Sequence, residues 1–322
     1  MSTVYFVIRR IFTGLIVLWF VTTVSFLLFF LRPANIVARL IGGRSASSAT
    51  LALINKRLGL TEPITVQYWH FLVALVAHFN FGYSYYNGES VNTVLAQDLP
   101  RTASLVFGGV ILWLIAGLGV GILSATRARS MFDRVSTVGV LAGISLPTFV
   151  LGLLLLRYVF QPLNEHGYTW IGINYVGLSA GVIPWMGHMI LPWITLATVQ
   201  AAVYTRLSRG SLLDTMGEDY IRTARAKGLR ERRVIYKHGL RSGLTPVISQ
   251  LGVDIGALLG GVIVVEQVFN IGGLGQDAVT AISQGNQPVI LAFVVIASAF
   301  VVIANLIVDV VYAFLDPRVR IA

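Results

Sequence analysis

Residues able to carry bond chemistry are few in this chain. Its five histidines, His70, His78, His166, His188 and His238, are scattered, and no H-E-x-x-H occurs. A metal-assisted hydrolase therefore has no visible site. There is no cysteine, which excludes disulfides and thiolate metal ligands. Lysine occurs only as Lys56, Lys227 and Lys237, none of them after a glycine, so the phosphate-cradling G-x-x-x-x-G-K-[ST] cannot occur. If ATP drives this protein, another chain supplies the phosphate-binding loop. Gly272, Gly273 and Gly275 follow an apolar stretch and read as a tight turn or re-entrant corner rather than a phosphate cradle.

One acid stands apart from the other charges. Asp254 lies in the apolar stretch 245–265, on the side opposite a ladder of Gly252, Gly256 and Gly260. At about 100° per residue it points about 160–200° away from that ladder, and Gln250, Ala257 and Gly261 fall on its own side. One face is suited to close packing and the other is polar and small. An acid within a bilayer is a functional candidate by default, because its burial is expensive; an acid satisfied by a neighbouring helix is the structural alternative. In another apolar stretch Trp193, Ala197, Gln200 and Tyr204 share a face, as packing or as pore lining. Gln200, Gln250, Asp254 and Gly261 are the candidates for a translocation path. Arg157, near the end of its apolar stretch, reads as a snorkelling side chain, and Asn305 with Asp309 as a structural pair.

The elements that must position these residues are membrane spans. Of 322 residues 56% are apolar and 12% charged, with mean hydropathy +0.77; soluble domains carry about 25% charged residues. Ile11 to Leu31 is 21 residues without a charge, enough to cross about 30 Å of hydrocarbon. Arg9 and Arg10 precede it, yet the block is too long for a signal sequence and no small-x-small cleavage site follows, so it reads as a retained first helix. Five more spans are expected at about 103–124, 136–160, 183–204, 245–265 and 289–314, with Pro147 and Pro192 tolerated inside two of them.

The net charge of +10 comes from basic residues between the apolar blocks, which points to topology rather than nucleic-acid binding. With the N-terminus inside, the inner segments hold 17 Lys and Arg, the short outer loops none, and the long outer segment 32–101 six. Long segments cross largely regardless of charge, so both termini are expected inside. The outer segment is expected to form a small helical cap. Ser48 or Thr50 starts one helix ending at Gly59, and Pro63 opens another through about His78. The chain thus divides into an N-terminal segment with the first span (1–31), the outer helical domain (32–101) and a core of five spans (102–322).

The longest inner segment, 206–243, carries the most local information. Asp214 to Lys227 has helical composition, Glu218 and Asp219 are placed to pair with Arg222, and Gly228 suits the position just past a helix end. Arg230 to Leu240 is expected as a second short helix. Thr223, Ala224 and Ala226 keep the surface small where a partner could approach, whereas the bland reading is a solvated basic loop.

Here the stretch EDYIRTARAKGLRERRVIYKHGLRSGLTPVIS resembles the inner-loop signature of permeases of bacterial ABC importers, and more narrowly the dipeptide/oligopeptide/nickel branch and its B-type subunit. RLGLTEPITVQYWHFL with NFGYSYYNGESV is similar to that subunit's outer domain. SLPTFVLGLLLL, VVEQVFNIGGLG and NLIVDVVYAFLDPR are similar to later parts, so the likeness runs along nearly the whole chain. Against the general importer motif E-A-A-x-x-x-G, Arg222, Thr223, Ala224 and Gly228 occupy the fixed places, with Glu and the first Ala replaced.

The resemblance implies an all-α polytopic fold of six transmembrane helices in a bacterial inner membrane. It implies alternating access for peptides delivered by an external solute-binding protein, with nickel chelate or glutathione as alternative solutes. It further implies a homologous second permease and two ATPase subunits, or one fused pair, which bind ATP and magnesium; no cofactor is expected on this chain. Residues 218–228, namely Glu218, Asp219, Arg222, Thr223, Ala224, Arg225, Ala226, Lys227 and Gly228 with their neighbours, would form the coupling helix that docks on an ATPase. A secondary transporter would need its own ion-coupling site, for which Asp254 alone offers little, and a membrane-embedded enzyme would need a nucleophile or metal constellation that the sequence lacks.

The charge asymmetry makes a direct prediction. In this cysteine-free chain, Ser47→Cys should react with an impermeant thiol reagent added outside and Ser211→Cys should not; the reverse pattern overturns the orientation.

Overall fold

The computed structural model describes residues 3–30 and 62–315. The helix expected between Ser48 or Thr50 and Gly59 lies outside the described residues, as do the last inner charges, Arg318 and Arg320. The described chain is helical nearly throughout, with a single antiparallel bridge, Tyr83 to Ser90, in the turn region after the outer helix.

The helices, in order, are α1 (Thr3–Phe30), α2 (Ile64–His78), α3 (Val91–Thr126), α4 (Met131–Ser145), α5 (Thr148–Leu155), α6 (Val182–Met216) and α7 (Asp219–Ala226). An inner helix α8 follows over residues 231–243, then α9 (Thr245–Phe269), α10 (Leu274–Gln284) and α11 (Gln287–Leu315). Four stretches are long and apolar enough to cross a membrane alone: Ile8–Phe29, Val91–Thr126, Val182–Met216 and Gln287–Asp309. The stretch expected at 245–265 forms the 25-residue α9. Expectation and structure agree on where these helices lie, while their ends differ. α3 begins at Val91, so its first turns belong to what reads as the outer segment, and α6 continues to Met216, well beyond the expected end at Tyr204. At about 1.5 Å per residue each is roughly 50 Å long, against about 30 Å of hydrocarbon, so both project from the bilayer.

The stretch expected as one span over 136–160 is broken instead. α4 ends at Ser145, and the chain bends by 103° before Thr148–Glu165. Leu146 is extended (φ −89°, ψ 120°), the conformation that a following proline imposes, and Pro147 (φ −59°, ψ 139°) leads into α5. α5 then runs through a π-helical turn, Leu156–Phe160, which carries Arg157 bonded to Gln161.

The centre of the bundle is the α3–α6 pair, and glycine lets these helices meet backbone to backbone. A Cβ on Gly117 would lie 2.7 Å from Tyr204 Cβ and 3.0 Å from the Ala201 carbonyl, and one on Gly121 would lie 1.9 Å from Ser208 Oγ. The Trp193 indole fills the space over Gly108 and donates from Nε1 to the Ser104 carbonyl at 2.9 Å. Lipid is as apolar as leucine, so helices in a bilayer associate through such close contact rather than through the hydrophobic effect. Trp113, Tyr204, Leu105 and Met189 are sealed at this seam, and α9 closes over it with Val262, Val265 and Phe269.

Glycines four apart suit close helix packing, and Gly117 and Gly121 are both buried. Of Gly139 and Gly143, at the same spacing, Gly143 meets Ala202 at 3.1 Å, but Gly139 faces open space. Along α3, Gly119 likewise has nothing within 4 Å. Gly121→Val should therefore lower the thermal midpoint of the detergent-solubilised protein by several degrees, since overpacking costs about 1–3 kcal/mol. Gly119→Ala should leave the midpoint unchanged, and equal effects would contradict this packing.

Candidate functional site

The C-terminal end of α6 carries a small folded unit. α6 ends at Met216, Gly217 turns the chain, and Glu218 in an extended conformation precedes α7. The far end of α7 closes in a Schellman motif: Gly228 N donates to Arg225 O at 2.9 Å and Leu229 N to Ala224 O at 3.4 Å. Gly228 has φ +74°, which a side chain would strain, so the glycine is where the expectation put it.

Beneath α7 lies a miniature core of Ile221, Ala224 and Val234, with Met216 and Leu229 against it. α8 begins with Glu231, includes a π-helical stretch over Val234–Gly239, and folds back onto α6, where Ser211 Oγ donates to the Gly243 carbonyl at 2.7 Å. Arg225 clasps Glu231 with two bonds, at 2.8 and 3.2 Å. The guanidinium holds the Glu231 carboxyl below its usual range and raises Arg225 in turn. A depressed carboxyl contributes stability above its unfolded pKa and loses it as pH falls through the folded value; for so exposed a pair this is about 0–1 kcal/mol.

The predicted coupling residues therefore divide into two sets. Asp219, Arg222, Thr223, Ala226, Lys227 and Gly228 are exposed, as is Tyr220, and Asp219 pairs with Arg222 at 3.3 Å. Glu218 is exposed at the start of α7 and makes no pair with Arg222 in this structure. Ala224 faces its own chain, 7% exposed beside Val234 and Ile221. Its small size serves packing within this unit, and Arg225 is already engaged by Glu231. The face open to a partner is the one that Thr223 and Ala226 keep low.

This unit is tied to the rest of the inner surface by a buried ion pair that the sequence reading missed. Asp133, in the first turn of α4, accepts from Arg209 Nε at 2.6 Å and Nη2 at 2.8 Å, from Ser124 Oγ, and from the Arg129 backbone at 2.9 Å. Ser130 caps the same turn by accepting from Asp133 N. The end of α3, the start of α4 and the inner extension of α6 thus meet at one carboxylate.

The path candidates are brought together only in part. Gln250 Nε2 donates to Asp254 Oδ1 at 2.8 Å, and the Asp254 carboxylate, 9% exposed, faces Tyr204 of α6. Gln200 lies half-buried one turn before Tyr204. Gly261 packs towards Leu196, whose Cδ1 would be 3.5 Å from a Cβ there. Asp309 pairs with Arg10 of α1 at 3.2 Å, so the acid expected to pair with Asn305 instead links the first and last helices.

The glycine-rich corner after α9 is a turn built around a second missed acid. Glu266 is fully buried; it accepts from Thr102 Oγ1 at 2.5 Å and from Gln276 N at 2.8 Å. A Cβ on Gly273 would lie 2.2 Å from its Oε1, and Arg101 Nη1 holds the Gly272 carbonyl at 2.6 Å. A hydroxyl and a backbone donor thus satisfy a buried carboxyl group at the end of a span. The available signal was an acid four residues before a left-handed Asn270 and a run of glycines.

With this geometry in place, likeness to known proteins becomes informative. Residues 117–321 match the family described as binding-protein-dependent transport system inner membrane component, and residues 3–106 match the corresponding N-terminal family. A protein of Sinorhizobium fredii named "Probable peptide ABC transporter permease protein y4tP" is 35% identical over 98% of this chain and 99% of its own length. The glutathione transport system permease protein GsiC of Salmonella choleraesuis is 37% identical over 98% of both chains, and that of Escherichia coli K12 is 36% identical over the same shares.

The Asp133 clamp generates a stability prediction. Asp133 is enclosed while the Arg209 side chain is 32% exposed, so Asp133→Asn should lower the thermal midpoint of the solubilised protein, and Asp133→Glu should lower it less. A double-mutant cycle with Arg209→Gln should return a coupling energy above about 1 kcal/mol, and simple additivity would mean that the contact contributes nothing.

Proposed function

This chain belongs to the family of inner-membrane components of binding-protein-dependent transport systems, and from that membership we propose how it works as the membrane-spanning permease subunit of an ABC importer of the peptide branch. Membership in that branch leaves a peptide as the preferred solute, with glutathione or a nickel chelate as alternatives. ATP and magnesium would be bound by partner ATPases rather than by this chain.

The observation that carries the mechanism is the folded unit at the end of α6. An ATPase on the inner side must act on something that reaches beyond the bilayer and resists bending. α7 is capped at its far end, seated on its own apolar core, and joined through α6 to the α3–α6 seam. We read α7 as the coupling helix and its exposed face, Asp219, Tyr220, Arg222, Thr223, Ala226 and Lys227, as the surface offered to the ATPase. Movement there is passed along α6, and through Asp133 to α3 and α4, so that the inner ends of these helices shift together during alternating access. A second permease would complete the pathway, a solute-binding protein would deliver cargo at the opposite face, and both termini would lie in the cytoplasm.

Packing should matter more than charge at this contact, because exposed ion pairs contribute about 0–1 kcal/mol. Thr223→Trp or Ala226→Trp should abolish both transport and the stimulation of ATP hydrolysis by loaded binding protein, while the membrane helices stay folded. Arg222→Ala should lower transport by less than about threefold. A cysteine at 226 should crosslink to the ATPase. Normal transport by Ala226→Trp together with no crosslink would reduce this segment to a solvated basic surface. Uptake that survives loss of the ATPase but collapses with an uncoupler would instead favour an ion-coupled carrier.

A further inference from the structure

The outer helix α2 has an architecture that the transport reading does not use. Its sequence, ITVQYWHFLVALVAH, contains no Asp, Glu, Lys or Arg, and none of its 15 residues is buried. A helix so apolar is ordinarily enclosed by protein or lipid. Its length, about 22 Å, is too short to cross a bilayer.

At about 100° per residue its side chains fall into three sectors. Tyr68, Phe71 and Leu75 share the first. They meet the bundle: Tyr68 and Phe71 each lie 5.3 Å, ring to ring, from Phe26 of α1, and Leu75 packs on the outer apolar cluster that includes Phe81, Val91 and Val289. Gln67, His70 and His78 form a narrow polar sector, with His70 beside Glu62 at 3.3 Å. Val66, Trp69, Val73 and Val76 form the third. These four are 37, 64, 40 and 82% exposed, and no charge interrupts them.

The contacts on α1 fix the depth of α2. Tyr68 Oη and Thr23 Oγ1 share a hydrogen bond at 2.6 Å. The apolar stretch of α1 ends at Phe29, so Thr23 and Phe26 lie about 9 and 4–5 Å inside that end at about 1.5 Å per residue. An interfacial helix sits with its apolar face about 5–10 Å into the headgroup–acyl boundary, and tryptophan and tyrosine favour that level. The outer turns of α1 beside it also present apolar surface, with Leu28 70% exposed. The apolar sector of α2 therefore continues a surface that already faces lipid.

We propose that α2 is an interfacial helix lying in the outer leaflet, with Val66, Trp69, Val73 and Val76 among the acyl chains and the Gln67–His70 edge turned to headgroups and water. The partner of this face is the lipid surface. The inference is independent of how α7 meets an ATPase.

Single cysteines at 66, 69, 73 and 76, spin-labelled in the assembled transporter in phosphatidylethanolamine–phosphatidylglycerol vesicles, provide the test. Oxygen, which concentrates in hydrocarbon, should relax all four labels several-fold more effectively than water-soluble chromium oxalate. A label at Leu15 of α1 should behave in the same way, and one at the exposed turn residue Asn87 should show the opposite preference. Preference for chromium oxalate at 73 and 76 would make α2 a helix in water and overturn the proposal. Protection from both reagents would also overturn it, by showing that residues 31–61 or a protein partner cover this face. Failure at Leu15 would instead contradict the membrane-spanning assignment itself.

Discussion

The described fold leans on the approach of two helices, α3 and α6, backbone to backbone at Gly117 and Gly121 and with the Trp193 and Leu196 side chains seated over Gly108 and Gly109. In a bilayer no solvent drives leucine against leucine, so cohesion must come from short-range contact and from polar groups with nowhere else to turn. Glycine shortens the distance, and the adjacent Ser208, Trp193 and Tyr204 fill what it vacates. The other helices are arranged around this seam: α9 covers it on one side, α4 rests against α6, and α11 holds α1 at the margin. The contact is also mechanical, because two helices of about 50 Å held along much of their length bend less than either would alone.

That stiffness extends to the unit at the end of α6. The chain from the seam to α7 is helical but for the turn at Gly217 and Glu218, and α8 is folded back onto α6. Arg225 and Glu231 clasp the two short helices from outside while Ile221 and Val234 hold them from within. The apolar contact is the stronger of these, since the ion pair is solvated on both sides.

Three of the buried acids are met by donors in a similar way. Asp133 has an arginine and two further donors, Glu266 has a threonine hydroxyl and a backbone amide, and Asp254 has Gln250. Asp133 and Glu266 join elements far apart in sequence, whereas Asp254 is met within its own helix; all three accord with the cost of leaving a carboxyl group unpaired away from water. Asp254 is the least satisfied of the three and the nearest to the middle of its helix, and it faces the central seam.

The sequence alone determined the membrane class, the positions of most long helices, a short helix near 231–243 and Gly228 as a helix stop, whereas the helix expected over 214–227 divides at Gly217, its first residues ending α6 and the rest forming α7. These rest on apolar run length and on interactions within about four residues, which are written locally. It also carried the family, because the stretches 218–249 and 264–275 are distinctive as strings. Tertiary structure decided the rest. Pro147 reads from the sequence as tolerated inside a span; in the structure Leu146 is extended before it and the chain bends by 103°. Ala224 reads from the sequence as part of a small surface open to a partner, but Ile221 and Val234 enclose it within its own chain. Asp133 and Arg209 are 76 residues apart, and Thr102 and Glu266 164 apart. No local period encodes such pairs, since they form only once particular helices have become neighbours.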